Sequence, residues 1–123
     1  MLTLPPSVRI VVSTEPVDMR RGFDALAEAA RQRAGQDPQG GHLFVFFSRH
    51  AERVKILFWD RTGWCLFYKR LERGTFRLPV VPKDTTAIEL AATDLALILE
   101  GIDLGAAARR RRYTAPNGAV GRS

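Results

Sequence analysis

HLFVFFSRHAERVKILFWDRTGWCLFYKRLERGTFR, residues 42–77, is the stretch on which the fold turns. It predicts three consecutive strands, Leu43–Ser48, Arg53–Trp59 and Trp64–Leu71, each dense in β-branched and aromatic residues that fit a pleated surface. Asp60-Arg61-Thr62-Gly63 is a hairpin signal between the last two, with Asp suited to the first turn position and Gly to a left-handed one. A four-residue loop sets Trp59 opposite Trp64, Leu57 opposite Leu66, Lys55 opposite Tyr68 and Arg53 opposite Arg70. Val54, Ile56, Phe58, Cys65 and Phe67 then share the other face, as core. A three-residue bulged loop slips the pairing by one and sets Lys55 against Lys69, an unfavourable like-charge pair, so the first register is preferred. A meander of this kind buries one face and leaves the other for work.

The strands flank other elements. Val8–Ser13 reads as a short strand. Asp18 is placed as a helix N-cap. Met19, Phe23, Leu26 and Ala30 form the apolar stripe of an amphipathic helix over about 19–33, ending near Gly35. Gly22 weakens that helix by about 1 kcal/mol relative to Ala, so its first turn is irregular or something packs closely there. Ala87–Leu90 reads as a last short strand, although Thr86 and Glu89 also match a capping box that starts a helix. Leu95, Ile98 and Leu99 make a final apolar stripe, with Gly101 as its C-cap. The expected fold is α+β: a small antiparallel sheet of four or five strands, one amphipathic helix packed on it, and a short C-terminal helix. Residues 1–104 form the domain, and the Gly-, Ala- and Arg-rich 105–123 a disordered basic tail.

With 123 residues and 46% hydrophobic content the chain suffices for one packed domain. A single cysteine, Cys65, excludes a disulfide framework and fits a reducing cytoplasm. No apolar run spans a membrane and no signal peptide precedes the domain. The net charge of +6 is unevenly placed. Between Arg49 and Arg77, Arg49, Arg53, Lys55, Arg61, Lys69, Arg70, Arg73 and Arg77 stand against Glu52, Asp60 and Glu72. The segment 84–103 is purely acidic, and four of the tail's arginines are consecutive, Arg109–Arg112. That polarity is balanced either within the monomer or between subunits of a homo-oligomer.

Catalytic constellations are absent. His42, His50 and Cys65 lack metal-ligand spacing, and Asp18, Asp60 and Asp84 have simpler places as cap, turn and loop. Walker loop, nucleophile elbow and dinucleotide fingerprint are all missing. The expectation is a non-enzyme with no metal or cofactor. What remains is a basic surface interleaved with Trp59, Trp64, Phe67, Tyr68 and Phe76, suited to nucleic acid, although aromatics in strands are more often core. The candidate nucleic-acid-binding residues are Arg20, Arg21, Arg53, Lys55, Lys69, Arg70, Arg73 and Arg77. Arg20 and Arg21 lie against the positive end of the helix dipole. Either Arg20 pairs with Asp24 and Arg21 is solvated, or both present charge to an anion such as a phosphate.

Five blocks, DMRRGFD (18–24), GHLFVF (41–46), VKILFWD (54–60), CLFYKRLERG (65–74) and LEGID (99–103), together resemble the TnpB family. These are accessory products of the second reading frame in bacterial insertion sequences of the sixty-six type, unrelated to the RNA-guided nuclease of the same name. The resemblance runs from about Val8 to Asp103. It departs at Arg21, where the family usually has Lys, and at Ala91, in place of a hydroxyl residue that caps the last helix. The second departure favours a strand at Ala87–Leu90 and a short, poorly capped helix from about Ala92. The resemblance implies a mobile-element protein that aids transposition while a separate transposase carries the catalytic triad; it brings no catalytic residue. Two functions follow as expectations: a DNA-binding accessory factor, or an adaptor that docks on the transposase without touching DNA.

Overall fold

A computed structural model describes residues 8–35 and 37–101. The elements run β1 (Ile10–Ser13), α1 (Phe23–Ala34), β2 (Leu43–Phe47), β3 (Arg53–Trp59), β4 (Trp64–Arg70), β5 (Ala87–Leu90) and α2 (Ala92–Leu99). The fold is α+β, with one five-stranded sheet in the order β4-β3-β2-β1-β5. The basic tail expected at 105–123 lies outside the described residues.

Three of the four strand pairs are antiparallel. The exception is β1–β2, which pair in parallel from Ile10 opposite Leu43 to Val12 opposite Val45. The expected antiparallel sheet therefore holds for every pair but this one. The cause is α1: a helix between two neighbouring strands returns the chain to the end where it started, so the second strand must run the same way. The β3–β4 hairpin has the four-residue loop and the preferred register, with Trp59 opposite Trp64 and Arg53 opposite Arg70. Its turn differs in detail. The left-handed residue is Arg61, at φ 86°, rather than Gly63. The Asp60 carboxylate makes this tolerable by accepting hydrogen bonds from the Thr62 and Gly63 amides and from the Thr62 hydroxyl.

Both sheet faces are covered, which corrects the expectation of one open face. On the first, Leu26, Ala27, Ala29 and Ala30 of α1 pack with Val11, Phe44, Phe46 and Leu57. On the second, Leu95, Ile98 and Leu99 of α2 pack with Ile10, Val12, Leu43, Val45, Phe47, Val54 and Ile56. Phe76, from the connection after β4, joins this second core with its ring 5.6 Å from that of Phe47. Three small alanines let α1 lie close to the sheet. α2 starts at Ala92 without a side-chain cap, and Gly101 at φ 83° ends it, donating to the Ile98 carbonyl.

The first helix begins later than the apolar stripe suggests. Gly22 is its N-cap, and Asp18–Arg21 form a separate turn in which the Arg21 amide donates to the Asp18 carbonyl. Met19 therefore packs from outside the helix, and Phe23, at 46% exposure, is not core. The Gly22 irregularity was the visible sign of this break. α1 crosses the sheet diagonally. Its leading turn lies over β3 and β4, while near its other end Arg33 hydrogen-bonds Ser13 and the Thr86 hydroxyl donates to the Arg33 carbonyl.

Burial of the sheet on both sides has a direct test. Phe46 and Phe47 are neighbours in β2 and point into opposite cores. Phe46→Ala and Phe47→Ala should each lower the urea unfolding free energy by about 3–5 kcal/mol. A large loss at only one of the two positions would contradict a sheet packed on both faces.

Candidate nucleic-acid interface

The basic residues divide by the pleat. On β3 and β4, Arg53, Lys55, Tyr68 and Arg70 share the α1 face, while Lys69 points to the α2 face. Lys55 is the centre of the first group. Only 7% of it is exposed, and its Nζ donates to the Met19 carbonyl at 2.7 Å and the Arg21 carbonyl at 2.8 Å. It also stands 4.7 Å from the centre of the Tyr68 ring. Its charge is thus engaged inside the protein, where it fastens the Asp18–Arg21 turn over the sheet. Lys69 is engaged too, donating to the Leu99 carbonyl at 2.8 Å and meeting the negative end of the α2 dipole.

Arg20, Arg21 and Arg70 stay at the surface, and Arg53 is half-buried. In the turn above Lys55, Arg20 holds Asp18 with a forked contact, Nε at 3.0 Å and Nη2 at 2.6 Å from Oδ2. Its partner is Asp18, two residues back, and not Asp24 as the helical spacing suggested. That follows from the turn, since residue 20 is not helical. Arg21 is exposed beside it. On the other side of Lys55, Arg53 reaches the Tyr68 hydroxyl at 3.4 Å, and Arg70 reaches Glu72 at 3.4 Å. The fold therefore gathers Arg20, Arg21, Arg53 and Arg70 around Lys55 and Tyr68. Arg73 and Arg77 are exposed on the connection that takes the chain round the sheet to Phe76.

Most of the expected aromatic platform is internal. Phe76 is buried, Phe67 packs on the second core, and Trp59 and Trp64 meet edge to face at 5.1 Å. Among the described residues, the exposed Phe, Tyr and Trp rings are Tyr68, at 50%, and Phe23 at the start of α1. Phe23 carried no distinguishing signal in the sequence, where it read as one more member of the apolar stripe.

The site's electrostatics are set locally. The Arg20 guanidinium and amide hold the Asp18 carboxyl down to about 2. Hydrogen bonds from Thr62, Cys65 and Gly63 lower Asp60, while partial desolvation and the Asp60 contact raise the Cys65 thiol. A raised thiol is a poor nucleophile at neutral pH. Among the described residues, no three His, Cys, Asp or Glu side chains are grouped to hold a metal ion. Likewise, no helix there is long and apolar enough to cross a membrane.

Two measurements check this arrangement. An acid whose folded value is depressed stabilises the fold above its unfolded value and loses that contribution as pH falls. For Asp18 the window runs from the ordinary 3.8 down to about 2. The Asp18 carboxyl carbon should titrate near 2, with the Arg20 Nε–H signal moving in step; a midpoint near 4 would show the pair open in solution. Lys55→Met should cost about 1.5–3 kcal/mol by removing charge-assisted hydrogen bonds to the Met19 and Arg21 carbonyls. It should also raise amide exchange across residues 18–22.

Comparison with known proteins places the chain in a family. The family described as IS66 Orf2 like protein matches residues 8–109. Uncharacterized protein y4hO of Sinorhizobium fredii (strain NBRC 101917 / NGR234) is 38% identical over 103 residues, 84% of this chain and 88% of that protein. Uncharacterized protein y4jC of the same organism is 34% identical over 96 residues, 78% of this chain and 80% of that one. No solved structure matches. With both relatives aligned over most of their length and the family match covering every described element, this chain belongs to the IS66 Orf2-like family, accessory proteins of insertion sequences.

Proposed function

We propose that this accessory protein is non-catalytic and acts in the cytoplasm by binding DNA, in company with the transposase of its element. The contact surface is the end of the sheet where the Asp18–Arg21 turn overlies β3 and β4. The observation that carries the reading is the Lys55 ammonium, hydrogen-bonded to the Met19 and Arg21 carbonyls and set against the Tyr68 ring. It joins two arginine groups distant in sequence, Arg20–Arg21 and Arg53–Arg70, into one surface beside an exposed aromatic ring. Arg73 and Arg77 extend that surface along the neighbouring connection. Guanidinium groups suit phosphate recognition, and bonds to backbone phosphates are indifferent to base sequence.

A second reading has its own support. β4 is one of the two edge strands of the sheet and, at seven residues, the longer of them. An edge of that length can accept a strand from another protein, as an adaptor docking on the transposase would require. A second copy of this chain would dock in the same way.

The two readings separate in one experiment. Binding to the element's terminal duplex and to an unrelated duplex is followed across a salt series for the wild type and for Arg70→Ala, Arg73→Ala and Arg77→Ala combined. For DNA binding, the triple change should reduce affinity on both duplexes alike. The salt slope should fall by about one unit for each phosphate that the variant no longer neutralises. If the wild type binds no duplex even at low salt, and the triple variant no longer captures the transposase, the surface is a protein dock.

A further inference from the structure

We infer that Arg53, Tyr68 and Arg70 form a pocket for a single phosphoryl group, a built site within the broader basic surface; this rests on the DNA-binding reading above. The three side chains, with Glu72, line an open cavity of about 420 Å³ at the end of the β3–β4 pair. Two features set it apart from a scatter of surface charge.

The first is the register. Arg53 and Arg70 are directly opposed across the ladder and share one face. Like charges in that position repel, and a sheet gains nothing from them unless an anion lies between. Glu72 offsets part of this by its contact with Arg70, but it is well exposed and meets only one of the two guanidinium groups. The second is Arg53 Nε, which is buried and has no hydrogen-bond partner among the described residues. Its Nη1 already leans on the Tyr68 hydroxyl. A buried donor left without an acceptor is uncommon in folded proteins.

A phosphoryl group answers the first feature directly, and a turn of the Arg53 guanidinium toward it would give Nε an acceptor as well. Its tetrahedral oxygens accept from guanidinium groups on two different strands and from a phenol at the same time, whereas a flat carboxylate meets one guanidinium fork. Lys55 Nζ stands 4.7 Å from the centre of the Tyr68 ring, a contact that favours the placement seen for its hydroxyl. Glu72 then has a distinct part: a carboxylate on Arg70 competes with the phosphoryl group.

The test follows the arginine Nε–H and Tyr68 ring signals of the full-length protein by NMR. The probes are thymidine 5′-monophosphate, the dinucleoside phosphate TpT, thymidine and N-acetylaspartate. Arg53, Arg70 and Tyr68 should shift saturably with the two phosphates and not with thymidine. Equal responses to both assign the pocket to an internal phosphodiester; a response to the monophosphate alone assigns it to a strand end. Arg53→Gln should weaken binding about tenfold, as for loss of a charge-assisted hydrogen bond. Arg70→Gln, at an exposed position, should do the same without disturbing the core. Glu72→Gln should tighten it about two- to fivefold by removing the competing carboxylate.

No saturable shift, or equal shifts at Arg49, Arg73 and Arg77, overturns the pocket in favour of diffuse charge. Equal affinity for N-acetylaspartate overturns it in favour of an acidic protein partner. Duplex binding measured on the same sample keeps the two readings apart. A silent pocket with normal duplex binding removes only the pocket. A responsive pocket with no duplex binding removes the DNA reading and leaves a site for free nucleotides.

Discussion

Every residue of β2, from Leu43 to Phe47, is withdrawn from water, and a strand that is apolar at consecutive positions needs cover on both faces. The remaining layout follows from that requirement. α1 supplies one lid by crossing between β1 and β2, which forces those strands to be parallel. Phe76 and α2 supply the other, which is why the chain doubles back beneath the sheet after β4. With both faces occupied, neither can serve as a flat binding platform. The chemistry left to solvent lies at the sheet's end and edge, where the pleat of β3 and β4 outruns its cover.

At that end lysine and arginine take different tasks. Burying an ammonium is unfavourable unless its donors are satisfied, and Lys55 meets the condition with two carbonyls and a ring. Lys69 meets it with the last carbonyl of α2. Each is a compact charge on a flexible stem, able to reach a backbone oxygen and fasten one element to another. The arginines, with planar forks suited to oxyanions, remain outside. The lysines fix where the arginines stand.

The strands and the β3–β4 hairpin were legible in the sequence because they rest on local rules: side-chain composition and turn chemistry. The β3–β4 register preferred from the four-residue loop is the one the structure has, although it opposes Arg53 to Arg70 where the alternative would oppose Lys55 to Lys69. The start of α1 was misread because Met19 and Phe23 complete a helical stripe, while Asp18 suits a tight turn as well as a helix cap. Only Gly22 hinted at the break. The parallel β1–β2 pair is not local at all, since it depends on which strands become neighbours. The same holds for the candidate site. Its arginines were visible one by one, but the link between them through Lys55 appears only when residues 19–21 are laid over the sheet. Nothing in the sequence marked Lys55 as internal, because a lysine in a strand ordinarily points to water.

The separation of charge along the chain also changes meaning in three dimensions. β5, bearing Glu89, is at one edge of the sheet, and the basic β3–β4 pair is at the other. Glu89 is met by Arg9, at 3.6 Å. On the α2 face, Lys69 is opposed by the helix end, so little positive potential is left there. On the α1 face, Arg70 meets Glu72 and Arg20 meets Asp18, while Arg21 is exposed beside them. The field of charge gathered at one end of a molecule attracts a polyanion in a preferred orientation before any bond forms. On the DNA-binding reading, that field steers the Lys55 end toward the duplex and leaves the remote edge of β5 turned away from it. The free side of β4 lies next to that end, so a partner strand added there would be held beside the bound DNA.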